Sequence, residues 1–187
     1  FSVGPGGDVA ISRVTVRHGN EVEDASGACC KWGGGIANSG TLTLTDSTVT
    51  NNIASNGGGL RNDGTLTLIN STISGNSANV SGGGIYNTGD GTLALTNTTI
   101  SGNSAVDGGG ILNDAGLVEA WNTIIALNPT GGDCSGTVSS QGHNLDSDDT
   151  CNLTHPTDLP GVDPLLGPLQ DNGGPNFTHA LRPGSPA

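Results

Sequence analysis

The chain has 187 residues, a length that suits one domain, with 33 Gly, no Met, 32% hydrophobic residues and only 3% aromatic ones. That is little apolar material for a globular core, and at a net charge of −12 it would leave the chain disordered unless the apolar positions are periodic. Five basic residues against 17 acidic ones exclude nucleic acid as a partner, and no run of about 18 apolar residues provides a membrane-spanning helix.

In chain order, the first apolar strand is Val9-Ala10-Ile11, leading into Ser12 to Val16. An insertion near residues 20–32 follows, rich in acid and carrying the adjacent Cys29 and Cys30. This pair is open to a vicinal disulfide, a bond to another chain, or the reduced state. From Gly33 a repeat takes over. Its glycine triplet begins at Gly33, Gly57, Gly82 and Gly108, in steps of 24, 25 and 26 residues. Self-similarity at this period predicts a solenoid. No helical periodicity is present; Thr, Ile, Val and Leu alternate instead, between turns of Gly, Asn, Asp and Ser. Each coil reads as three short strands, Gly-Ile-x-Asn, Leu-Thr-Leu-Thr and Ser-Thr-Ile-Ser. The predicted fold is an all-β, right-handed parallel β-helix over residues 1–128, because parallel crossovers are right-handed.

Alternation then assigns faces. Leu42, Leu66, Leu93 and Val118 form one inward column, and Leu44, Leu68, Leu95 and Ala120 the next. Val16, Val49, Ile73, Ile100 and Ile125 line a second strand, and Ile36, Leu60, Ile85 and Ile111 a third. Asn38, Asn62, Asn87 and Asn113 recur at one corner, and Asn52, Asn76, Asn103 and Asn128 at another; both read as stacking ladders. Outward residues Thr41, Thr43, Thr45, Thr65, Thr67, Thr92 and Thr96 form a Thr-x-Thr array, which an ice-binding surface would use and which Ile69, Ala94, Glu119 and Trp121 interrupt. Thr is also simply a good exposed strand former.

The period is expected to end at Asn128, where Pro129 and Gly131-Gly132 break the strand. Residues 129–187 are expected to cap the open end, with one or two further irregular strands. Cys134 and Cys151 would close a modest loop there, a disulfide worth about 3 kcal/mol. Free thiols and metal ligation are the alternatives, and no Cys-x-x-Cys pair or adjacent His cluster supports zinc. The start at Phe1 and the stop at Ala187 are expected to be those of a piece of a longer chain.

Several constellations are candidates for catalysis. Arg13, Arg17 and His18 lie close in sequence to Glu21, Glu23 and Asp24, and this is the best acid–base cluster the chain offers to a pectate-lyase-like chemistry. Lys31 and Arg61 stand apart from it. Asp148-Asp149 is the only acidic doublet of the tail, and Asp46 and Asp63 sit at turns. His143, His155 and His179 are scattered through the tail and gain meaning only if they converge. No Gly-x-Ser-x-Gly or His-Glu-x-x-His motif occurs. No catalytic, metal or cofactor site is therefore assigned. Sequons such as Asn70-Ser71-Thr72 are present.

The GGGIxNxGTLTLTNSTISGN-type repeat, the GGDCSG and GHNLDSD segments, and DPLLGPLQDNGGP with THALRPGSPA resemble bacterial secreted right-handed β-helix proteins. Many of those carry a choice-of-anchor or polymorphic-outer-membrane-like region. The resemblance covers nearly the whole chain and implies export and a large extracellular or cell-surface parent, with no defined chemistry. The expected function is a non-catalytic structural or adhesive surface module, able to bind an extracellular glycan or to add end to end into filaments. The rival is a carbohydrate-binding or polysaccharide-degrading β-helix.

Overall fold

A computed structural model of the chain describes residues 1–21 and 33–187. Glu23, Asp24, Cys29, Cys30 and Lys31 lie outside the described residues. The described residues form an all-β parallel solenoid. Its three long sheets run along the axis with six, six and seven strands. We name them by their residues. The glycine face stacks Ser2–Val3, Ile36–Asn38, Leu60–Asn62, Ile85–Asn87, Ile111–Asn113 and Cys134–Ser135. The threonine face stacks Asp8–Ser12, Thr41–Thr45, Thr65–Ile69, Thr92–Thr96, Leu117–Trp121 and Ser139–Ser140. The serine face runs from Thr15–Arg17 through Thr48–Thr50, Thr72–Ser74, Thr99–Ser101, Ile124–Ala126 and Leu145–Asp146 to Leu159–Pro160.

Each strand lies in register on its equivalent: Leu66 pairs with Leu42 and Leu93, Ile73 with Val49 and Ile100, Ile85 with Leu60 and Ile111. The inward Leu, Ile and Val columns are therefore continuous, and Leu42, Leu44, Leu66, Leu68, Ile73 and Ile85 have no exposed surface at all. A core this narrow needs no aromatic filling, because each aliphatic side chain finds its neighbours above and below it in the stack.

The glycine triplet has three separate physical causes. Gly57 takes φ +66°, where a side chain is strained. A Cβ on Gly58 would run into the carbonyls of Ser77 and Gly83, and one on Gly59 into Gly84 O and the Asn76 amide. The corner is thus packed backbone on backbone.

Two features depart from the expected organisation. A fourth, short parallel sheet of Asn20–Glu21, Ile53–Asn56 and Ser77–Ser81 lies between the serine and glycine faces, so the coil is not confined to three strands. Its buried apolar residues among those described are Ala54 and Ala78, too small to announce a strand by hydrophobic alternation.

The coil also continues past Asn128. Cys134–Ser135, Ser139–Ser140 and Leu145–Asp146 pair in parallel onto Ile111–Asn113, Leu117–Trp121 and Ile124–Ala126. This turn is shorter: Thr123 and its successor Asn144 are 21 residues apart, against 25 for Asn97 and Asn122. Shortening and Gly/Pro punctuation hide it from a search for the repeat. The chain then turns back against the core, burying Cys151 and Leu153 with Cys134 and Val138, and a Cys134–Cys151 disulfide ties that closure. The last stretch does not cap the end. Leu166–Gln170 and Thr178–Leu181 form an antiparallel hairpin that runs back along the side of the rod. There the Thr48 hydroxyl donates to Phe177 O (3.0 Å), and Asn176 Nδ2 donates to Ser47 O (3.3 Å), 129 residues away in sequence.

Candidate functional site

The polar residues of the repeat are organised as amide ladders. At the end of the glycine face, Asn38 Nδ2 donates to Asn62 Oδ1 (2.8 Å), Asn62 to Asn87 (2.8 Å) and Asn87 to Asn113 (3.0 Å), all four residues being buried. At the corner after the serine face, Asn52, Asn76, Asn103 and Asn128 hand the same bond along at 2.9, 3.0 and 3.1 Å. The amide oxygens of Asn76, Asn103 and Asn128 also accept the backbone N–H of the preceding Asn, and that of Asn52 accepts Gly19 N. This second ladder ends on Asp133 Oδ1, which accepts from both Asn128 Nδ2 and Asn128 N. A carboxylate can only accept, so it fixes the direction of every amide behind it.

A third ladder stands on the surface at the corner between the threonine and serine faces. Asp46, Asn70, Asn97 and Asn122 all hold φ near +50°, a region that Asn and Asp tolerate better than other side-chain residues. Asn70 Nδ2 donates to Asp46 Oδ1 (3.2 Å), Asn97 to Asn70 (3.0 Å) and Asn122 to Asn97 (2.7 Å). Its carboxylate sits at the opposite end from that of the second ladder, so its amides point the other way. The spacing of Asp46, Asn70, Asn97 and Asn122 matches the repeat and was the signal available in the sequence.

The sequence neighbours Arg13, Arg17, His18 and Glu21 do not assemble into one site. Arg13 and His18 occupy two different corners, with φ of 57° and 61°, and Glu21 pairs on the short fourth sheet. Arg13, well exposed, approaches Asp46 at 3.9 Å and heads the surface ladder. A β-helix coil turns within a few residues, which separates side chains that are adjacent in sequence. Asp63 holds Arg61 by two bonds of 2.7 and 2.8 Å.

Asp148 is brought together with Asp133 and Asp146, rather than paired with Asp149; the ligand oxygens of the three lie within 4.8 Å of one another. Asp133 and Asp146 are fully buried and Asp148 is exposed. The oxygens of the cluster are occupied: Asp133 Oδ2 accepts from the Ser147 hydroxyl (2.6 Å), Asp146 from the amides of Asp148 and Cys151, and Asp148 from Thr150 and the Asp133 amide. Burial, opposed by those amides and reinforced by neighbouring Asp148 and Asp133, pushes Asp146 up to about 7. Burial would also raise Asp148, but the Thr150 hydroxyl and amide and the Asp133 amide hold it below its ordinary value.

Two of the tail histidines meet around one residue: His155 Nδ1 lies 2.9 Å from Thr157 Oγ1, and the His143 amide donates to that same oxygen (2.9 Å). His179 is elsewhere, its Nδ1 donating to Gly167 O (2.7 Å) and its Nε2 2.9 Å from Ser74 Oγ.

On the threonine face, Thr41, Thr65 and Thr92 are in register, as are Thr43 and Thr67, while Ile69 separates Thr45 from Thr96. Leu117, Glu119 and Trp121 continue the three outward columns. The regular patch is thus three threonines long in one column and two in the next.

A groove of about 400 Å³ opens where the surface amide ladder ends, between the corner of the coil and the returning C-terminal segment. Its lining includes the polar residues Asn97, Asn122, His143 and Thr157 and the apolar residues Ile124, Leu145, Leu159 and Leu181.

Fold and ladders together define a parallel β-helix repeat protein. Residues 70–88 and 97–114 match the Chlamydia polymorphic membrane protein repeat. Both segments begin on an amide of the surface ladder and run through the glycine triplet to the glycine-face strand, so the match recurs in phase one coil later. Comparison with curated proteins and with solved structures gave no match.

Proposed function

We propose that the protein is a non-catalytic structural or adhesive module of a bacterial cell surface, displayed as a rigid β-helical rod. The observation that carries this reading is the use of the recurring polar side chains. The buried Asn residues of each coil are spent on the neighbouring coil, which makes a stiff scaffold and leaves a largely Thr, Ser and Asn exterior to meet a partner. The match to a repeat named for a membrane protein supports a surface location. Acidic net charge suits a partner recognised by hydrogen bonds rather than an anionic polymer.

The test combines a glycan array and a surface-binding assay with a lyase and hydrolase screen on acidic polysaccharides. Binding without turnover is the expected result. Cleavage that survives purification and is lost in Arg17→Ala would overturn the non-catalytic reading.

A further inference from the structure

The surface amide ladder has a loose end. Asp46 accepts at one terminus, so each Asn donates toward it, and the last carbonyl, Asn122 Oδ1, receives no bond from the protein. The next corner position belongs to His143. The backbone bonds show the equivalence: Asn97 N donates to Trp121 O, and Asn122 N donates to Gly142 O, in each case the residue before the next corner. His143 holds φ 59°, as the ladder requires, but its ring makes no bond to Asn122. An acceptor at the end of an aligned chain of amides and an imidazole free to donate or accept therefore face the same groove.

We propose that this groove binds a neutral saccharide unit, with Asn122 Oδ1 and His143 bonding its hydroxyls and Leu159 and Leu181 packing on its C–H face. Three observations select this chemistry. Amide, hydroxyl and imidazole groups and aliphatic side chains line the same groove, and a pyranose ring, with equatorial hydroxyls and axial hydrogens, uses both. Among the described residues no Lys, Arg, Asp or Glu side chain lines the groove, and its polar side chains are amides, hydroxyls and the His143 imidazole, which match sugar hydroxyls. The volume, about 400 Å³, lies near the lower end of the range for small-molecule sites and admits a short ligand rather than a folded partner.

This inference rests on the adhesive reading and supplies it with a ligand class. The experiment is amide and side-chain NMR of the full chain titrated with neutral methyl glycosides and N-acetylglucosamine. Two variants accompany it: Leu181→Trp, which fills the groove from an exposed position, and His143→Asn, which keeps a residue that tolerates positive φ and offers Asn122 Oδ1 an internal donor. Saturable shifts at Asn122, His143 and Leu181, at least about tenfold weaker in both variants, are the expected result. No saturable shift with any probe, or equal affinity in the variants, overturns the proposal. Glycan-surface binding by the whole protein that persists unchanged in Leu181→Trp would overturn the groove while leaving the adhesive reading intact.

Discussion

At the residue scale, the same amide does different work according to its burial. Asn76 is inside, and its removal would leave the Asn52 amide groups without an acceptor and Val49 O without its donor. Asn76→Ala should therefore cost about 3 kcal/mol or more in denaturant unfolding, whereas Asn70→Gly, exposed and already at positive φ, should cost less than about 1 kcal/mol. Equal losses would mean that the buried ladder is no more than decoration on the stack. Asp146 gives a second residue-level test. Its folded value of about 7 lies above its ordinary 3.8, so folding favours the protonated carboxyl. The stability it contributes is full below about pH 4 and is lost as pH rises through about 7, with a slope reaching about 1.4 kcal/mol per pH unit. Asp148, held low, titrates below that window and opposes nothing within it. Asp146→Asn should flatten the decline in stability between pH 4 and 7, read from urea unfolding at stepped pH. An unchanged slope would place the proton elsewhere.

At the scale of the element, the coil is held by what cannot fit as much as by what packs. A methyl group on Gly83 would strike the carbonyls of Ser104 and Gly109, both parts of the next coil's backbone, whereas on Gly89 its nearest neighbour is Asp114 O at 3.4 Å. Gly83→Ala should lower stability by about 2 kcal/mol or more, and Gly89→Ala by less than about 0.5 kcal/mol, in thermal and denaturant melts. The inward columns were legible in the sequence because one aliphatic residue per strand recurs at fixed phase, as Leu42, Leu66 and Leu93 do. The two Asn corners were legible for the same reason. The short sheet through Ile53–Asn56 was not, because its inward alanines carry no hydrophobic signal and its Ile53 is exposed. The coil through Cys134 and Leu145 was hidden by its shorter step. The surface ladder was open to detection in the spacing of Asp46, Asn70, Asn97 and Asn122, yet Asn70-Ser71-Thr72 is also a sequon, which masks the role of its amide in stacking. The groove could not be found at all in one dimension: Asn122 and Leu181 meet only because the chain reverses after Pro160 and returns along the rod.

That reversal matters for the molecule as a whole. The coils interact with their immediate neighbours, so a solenoid of this kind would open from its ends. The returning hairpin adds contacts across several coils at once: Asn176 donates to both Ser47 O and Asn70 O, Phe177 O accepts from Thr48, and His179 joins Ser74 to Gly167. It also explains why Thr48 and Ser74, which belong to the outward side of the serine face, are buried. Such a strap should convert local opening of the middle coils into a transition coupled to its own release. His179→Ala, which removes both ring bonds, should cost about 1–2 kcal/mol. Its effect on hydrogen exchange should be unequal: faster at Thr48–Thr50 and Thr72–Ser74, and nearly unchanged at Thr41–Thr45 and Thr65–Ile69 on the uncovered threonine face. Uniform acceleration of all four strands would show that the rod opens as one unit and that the strap merely rests on it. No change anywhere would show that His179 adds nothing to the contacts of Asn176 and Phe177.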